Sequence, residues 1–153
     1  MRKILVSACL CGEPVRYDGK SKPLTDRRFS KWQAEGRLIL VCPETSGGLP
    51  TPRPDAQRTG ERVLARTGAD VTEAYEAGAL EAVRLAREHD VAFALLKEKS
   101  PSCGSRRIYD GSFTGIIIPG QGLAAEHLRA AGFAVFSEEE LDAAAELLAE
   151  VET

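Results

Sequence analysis

The sequence predicts an α/β domain built on a mainly parallel sheet. Short, apolar, β-favouring runs occupy residues 3–8, 38–41, 91–96 and 133–136, each the length of a buried strand. Stretches with helical apolar spacing lie between them, and capping residues stand where those stretches begin and end.

Taken in order, residues 3–8 form the first strand. Residues 26–35 are a short helix that ends at Gly36, and residues 38–41 are the second strand. Residues 72–89 carry Tyr75, Ala79, Ala82, Val83 and Ala86 on one stripe, with a cap at Asp70 or Thr72. Residues 91–96 follow as the third strand, and residues 116–118 are a weaker fifth candidate. A helix over 123–131 stops at Gly132, and residues 133–136 give the fourth strand. Ser137 with Glu140 three residues on is a capping box, after which Leu141, Ala144, Ala145 and Leu148 repeat at helical spacing. At 153 residues the chain has the length of one core. The expected architecture is a single Rossmann-like three-layer domain over residues 1–153.

Two stretches break the rhythm. Gly47-Gly48-Leu49-Pro50-Thr51-Pro52-Arg53-Pro54 cannot be helix or central strand, because proline lacks the N–H donor and glycine costs backbone entropy. A loop of this kind inside a compact domain is a functional lid or a flexible segment. Residues 57–66 alternate weakly around Thr59-Gly60 and read as an excursion hairpin.

Composition excludes several classes of function. Twenty basic and twenty-three acidic residues leave a net charge of −3, spread along the chain, which argues against a protein that grips a nucleic-acid polymer. No apolar run approaches the roughly 18 residues of a membrane helix. Val6-Ser7-Ala8-Cys9 imitates a lipidation box behind Arg2 and Lys3. Only Ile4 and Leu5 precede it, however, where an export signal needs about 7–15 apolar residues. The expected compartment is the cytoplasm, where thiols stay reduced.

Cys9, Cys11, Cys42 and Cys103 allow three disulfide pairings in principle, but a reducing compartment disfavours them. Cys9 ends the first strand, Cys42 ends the second, and Cys103 lies just beyond the third. Ligands of open parallel sheets bind outside the carboxyl ends of the strands, so three thiols far apart in sequence converge on one sheet edge. Buried cysteines chosen only for packing have no reason to share that edge. Soft sulfur ligands select zinc, Cu(I) or iron–sulfur clusters. A structural zinc would want four ligands, often in C-x-x-C pairs, and no such pair exists here. Three ligands leave one coordination position open, and spacing leaves both a catalytic zinc and a cluster with one free iron admissible.

Cys42-Pro43-Glu44 puts a carboxylate two residues from a proposed ligand, placed to act as general base; alternatively it is a solvated or capping residue. Ser100-Pro101-Ser102-Cys103-Gly104 is a tight loop whose serines either bind a substrate or sulfur, or cap a turn. Cys11-Gly12 followed by Tyr17-Asp18-Gly19 is echoed by Cys103-Gly104 followed by Tyr109-Asp110-Gly111. The echo aligns Cys11, not Cys9, with Cys103, and spacing alone leaves the N-terminal ligand open.

The combination of Ser7-Ala8-Cys9-Leu10, Arg16-Tyr17-Asp18-Gly19, Cys42-Pro43-Glu44, residues 47–53, Asp70-Val71-Thr72, Leu96-Lys97-Glu98, Ser100-Pro101-Ser102-Cys103-Gly104 and residues 109–113 resembles the thiouracil desulfidase family. The match runs in order from about residue 3 to about residue 136. The resemblance implies a [4Fe-4S] cluster held by Cys9, Cys42 and Cys103, with the fourth iron free for a thiocarbonyl sulfur. It implies Glu44 and Ser100 as the catalytic carboxylate and serine. The substrate it implies is thiouracil or a related small thiolated nucleobase, with sulfide as product. By the same resemblance, Cys11 stands where relatives usually carry an aliphatic residue, which leaves an alternative ligand or a cap on the open iron as roles for that thiol.

Other features are decoys or rivals. Gly120-Gln121-Gly122-Leu123-Ala124-Ala125 imitates a dinucleotide fingerprint, but Pro119 interrupts it and it lies C-terminal; the helix start there could still take an anion. His89 and His127 read as surface residues, and Arg27-Arg28 and Arg106-Arg107 as solvated pairs. The rival functions are a non-enzymatic cluster or zinc carrier, or sensor, on the same thiolates, and a Cys9/Cys11 redox protein. The C-x-C spacing of the latter differs from the C-x-x-C of thioredoxin-like sites.

Overall fold

Four parallel strands form the centre of the computed structural model, which describes residues 1–152. Numbered along the chain, the elements are β1 (Ile4–Ser7), α1 (Arg27–Ala34), β2 (Leu38–Val41), α2 (Pro43–Ser46), β3 (Ala56–Thr59), β4 (Arg62–Ala65), α3 (Thr72–Glu88), β5 (Phe93–Leu96), β6 (Arg107–Tyr109), β7 (Ile117–Pro119), α4 (Leu123–Ala130), β8 (Val135–Ser137) and α5 (Leu141–Val151). Single 3-10 turns cover Ala8–Cys11 and Glu138–Glu140. The parallel sheet runs β2-β1-β5-β8, with Ile4 beside Leu38 and Phe93, and Leu96 beside Ser137.

Strand alternation sorts the core into two layers. Ile4, Val6, Phe93 and Leu95 meet Phe29 and Trp32 of α1 and Leu141, Ala144 and Leu148 of α5. Leu5, Ala94 and Leu96 face the other way, onto the stripe of α3 and onto Leu123 and Leu128 of α4. Every residue of β1 and β5 is buried, as the near-continuous apolar runs demand of strands covered on both faces. The domain is therefore three-layered and parallel, as expected. From β1 the chain moves outward to β2, then crosses back to β5 on the other side of β1. The gap between β1 and β5 is thus the topological switch point of the sheet.

Several boundaries differ from the sequence reading for local reasons. The third strand starts at Phe93 rather than Val91, because the Val91 N–H is taken by the Ala86 carbonyl closing α3. The first strand stops at Ser7, where the chain turns into the 3-10 turn carrying Cys9. Residues 117–119 do form a strand, but it pairs antiparallel with β6 in a separate ribbon instead of joining the parallel sheet. Residues 56–65 are the expected hairpin. The Asp70 carboxylate takes the Thr72 N–H at the start of α3, and the capping box of Ser137 and Glu140 is present. The one-turn helix α2 was not expected; Pro43 at its first position supplies the preset φ that starts it.

Candidate active site

Three connections bring the cysteines to the switch point. Cys9 lies in the 3-10 turn directly after β1, Cys42 lies between β2 and α2, and Cys103 lies in the loop after β5. All three line one cavity of ≈ 570 Å³ together with Glu44, Ser100 and Ser102. Cys9 and Cys103 are buried and Cys42 is partly buried. Burial pushes the Cys9 thiol up to about 11, with Cys42 adding to the rise. Burial likewise pushes Cys103 up to about 12, against hydrogen bonds from Ser102 and Ser7. Thiols in such a place need a positive centre to hold them as thiolates. Among the described residues no three His, Cys, Asp or Glu side chains are grouped to hold a single metal ion. A multi-iron cluster takes each thiolate on a separate iron, and its fourth iron needs no protein thiolate, so the donor set fits a [4Fe-4S] cluster.

Glu44 sits in the first turn of α2 and is held by three donors from three elements. Its Oε1 accepts the Arg53 Nε–H at 3.1 Å and the Tyr75 hydroxyl at 2.8 Å; its Oε2 accepts the Ser102 hydroxyl at 3.0 Å. Arg53 comes from the Pro-rich loop and is almost fully buried. It also donates to the carbonyls of Val15 and Pro50 and to the Thr51 hydroxyl, so the loop is folded back over the cavity around one guanidinium. Burial beside the Glu44 carboxylate raises the Tyr75 phenol far above its ordinary value, which keeps it a donor. Helix α3 lies so close to α2 that a Cβ at Gly78 would stand 1.8 Å from the Pro43 carbonyl oxygen.

The loop carrying Cys103 is fixed at both ends. Ser7 Oγ accepts the Lys97 N–H at 2.9 Å. The carboxylate of Glu98, itself 2% exposed, accepts the N–H groups of Lys99, Ser105, Arg106 and Arg107 and the Ser105 hydroxyl. The N-terminus of α4 closes the other side: the N–H groups of Leu123 and Ala124 donate to the carbonyls of Pro101 and Ser102. A Cβ at Gly122 would lie 2.4 Å from the Ser102 carbonyl carbon, so the glycine is what permits this approach. The helix start that looked open to an anion is therefore engaged by protein carbonyls.

Ser100 lines the cavity, but its Oγ accepts the N–H groups of Ser102 and Cys103, both at 3.1 Å, and lies 3.0 Å from Ser102 Oγ. Ser102 is the serine that reaches Glu44. Cys11 does not line the cavity; it is partly buried against the core that contains Phe29 and Trp32. Cys9, in the same 3-10 turn, does line the cavity, so the internal echo that aligned Cys11 with Cys103 has no shared site. The histidines and arginine pairs are peripheral. His127 Nε2 lies 2.9 Å from Glu76, exposed His89 caps α3, Arg28 pairs with Asp26 and Asp142, and Arg106 and Arg107 face Glu139.

Sequence reasoning gave no role of their own to Arg53, Tyr75 or Glu98, and read Ser102 only as one of the serines of its loop. Arg53 alone had a local signal, as the one charged residue in residues 47–54.

A family model described as 2-thiouracil desulfurase matches residues 4–140. The chain is 42% identical to the uncharacterized protein YbbK of Bacillus subtilis (strain 168), over 91% of this chain and 97% of the relative. It is 50% identical to a solved structure of the [4Fe-4S]-dependent thiouracil desulfidase TudS. That superposition has a TM-score of 0.96 and covers 97% of this chain and 99% of the other.

Proposed function

The chain belongs to the 2-thiouracil desulfurase family, and on that premise we propose that it is a [4Fe-4S]-dependent desulfidase releasing the sulfur of thiouracil, or of a related thiolated nucleobase, as sulfide. The observation that carries this reading is the meeting of three cysteines and a triply held carboxylate in one cavity.

Cys9, Cys42 and Cys103 are the residues that would hold the cluster. When bound, the cluster supplies a thiophilic, Lewis-acidic iron for the thiocarbonyl sulfur. The remaining work falls to the chain. Two donors occupy Glu44 Oε1, while Oε2 carries only the Ser102 hydroxyl. The free lone pair of Oε2 is therefore the one placed to take a proton from a water attacking the thiocarbonyl carbon. Arg53 and Tyr75 fix the carboxylate so that it loses no rotamer freedom at the moment of transfer. Ser100 shapes the loop that presents Cys103 and Ser102. The net change is hydrolytic, a C=S becoming C=O with sulfide released, and consumes no electrons.

The substrate is read as a small molecule, the working unit as the whole of residues 1–153, and the compartment as the cytoplasm. Among the described residues no helix is long and apolar enough to cross a membrane. The carrier and Cys9/Cys11 redox readings lack support: a carrier gives no role to a carboxylate held by three donors, and Cys11 lies outside the cavity. Protein prepared anaerobically and reconstituted with iron and sulfide should release sulfide from thiouracil and form uracil. A fully loaded protein that releases none would remove the desulfidase reading.

A further inference from the structure

The β3–β4 hairpin contributes one buried amide, Gln57, to the cavity lining. Its Oε1 accepts the N–H groups of Gly111 at 3.0 Å and Phe113 at 3.2 Å. Backbone N–H groups can only donate, so the oxygen is fixed on that side and the amide cannot flip. The Nε2 end is then fixed as well. Among the described residues no acceptor is found for its two N–H donors, Nε2 is not one of the sealed unpartnered atoms, and the residue lines the cavity. A buried amide held by its oxygen, with two unengaged donors at its other end in a residue that lines a cavity, is suited to meet an acceptor there.

We propose that Gln57 Nε2 is a specificity determinant of the desulfidase site, donating a hydrogen bond to the exocyclic carbonyl oxygen that accompanies the thiocarbonyl on the substrate ring. This inference rests on the desulfidase reading and adds to it a substrate rule. The cavity selects heterocyclic thiones bearing a ring carbonyl acceptor, and discriminates against thiones that lack one. A site with an aimed polar donor rejects the analogue without the partner, because the donor is left unpaired.

The bland role for Gln57 is that of a clamp holding residues 110–113 onto β3, where a Cβ at Gly111 would already stand 2.2 Å from Thr59 Oγ1. Gln57→Glu separates the two roles. It keeps an acceptor oxygen for both backbone N–H groups and replaces the free donors by a second acceptor. Compared with the parent, the Q57E variant should keep its cluster absorbance and its Tm. Its kcat/KM on 2-thiouracil should fall by about tenfold or more, mostly through KM, while kcat/KM on pyrimidine-2-thione stays the same. Calorimetric binding of uracil to the cluster-free protein should weaken by a similar factor. Unchanged 2-thiouracil kinetics, or equal losses on both thiones, overturns the assignment. Should Q57E not fold, the unaltered chain decides alone. Cluster-free protein should bind uracil at least about tenfold more tightly than pyrimidin-2-one, and equal affinities overturn the proposal. A chain that desulfurates neither thione refutes the underlying desulfidase reading instead, so the two failures are distinguishable.

Discussion

In the proposed mechanism the Glu44 carboxylate is the residue on which the chemistry turns, and its three donors define what it can do. Replacing it by glutamine preserves the contact with Ser102 and the packing of α2, but removes the base. Glu44→Gln should therefore keep the brown cluster absorbance and lose about 10²–10⁴-fold in kcat. An unimpaired variant would take Glu44 out of the mechanism. The cysteines divide by the same geometric criterion: serine at Cys42 or Cys103 should abolish the chromophore, whereas Cys11→Ser should spare it, because Cys11 lies outside the cavity. A protein bleached by Cys11→Ser but not by Cys9→Ser would reverse the ligand assignment. Cys9, Cys42, Cys103 and Glu44 were visible in the sequence because thiols at strand ends have few other reasons to be there. Tyr75 was visible only as one more apolar member of a helical stripe. Its hydroxyl acquires meaning from α2 packing against α3 across Gly78, a contact between segments about 30 residues apart that no local pattern encodes.

At the scale of elements, the loop between β5 and β6 is ordered by a side chain rather than by secondary structure. Burial alone would push the Glu98 carboxyl upward. The N–H groups of Arg106 and Arg107 and the Ser105 hydroxyl outweigh it and hold the group at about 2. Because this lies below the ordinary carboxylate value near 4.5, the stabilisation is complete above that value and drains away as pH falls towards 2. The gap corresponds to about 3 kcal/mol. Glu98→Gln should accordingly cost about 2–3 kcal/mol at pH 7, read from denaturant midpoints, and the difference from the parent should shrink below about pH 4. A difference independent of pH would deny Glu98 its role as an ionised clamp. The elements themselves were largely legible, since apolar runs, caps and terminal glycines act locally. Residues 116–118 were not: three apolar β-formers read alike whether they enter a parallel sheet or, as here, a ribbon with an exposed face. Helix α2 escaped because four residues give no periodicity to count.

At the scale of the whole molecule, the site occupies the place where the parallel sheet reverses its direction of winding. The loops after β1 and β5 part in opposite directions there, and β2 delivers Cys42 and Glu44 from the flank. Each proposed ligand is seated by contacts that do not depend on the others. Cys9 follows a strand buried on both faces, Cys42 is joined to α2 against α3, and Cys103 lies in a loop fixed by Glu98 and by the start of α4. Both apolar layers close around the sheet through residues remote from the sulfurs, among them Phe29, Trp32, Phe93 and Leu148 on one face and Ala79, Ala82 and Leu128 on the other. The fold should therefore outlast its cluster, unlike small domains whose metal supplies the folding free energy. Anaerobic removal of iron with a chelator should leave the far-UV circular dichroism unchanged and lower Tm, because the cluster binds only the folded chain. At this chain length each kcal/mol of lost binding corresponds to about 2–4 °C. Collapse of the helical signal on chelation, instead of a shifted but still cooperative melt, would mean that the sulfurs organise the fold and not the fold the sulfurs.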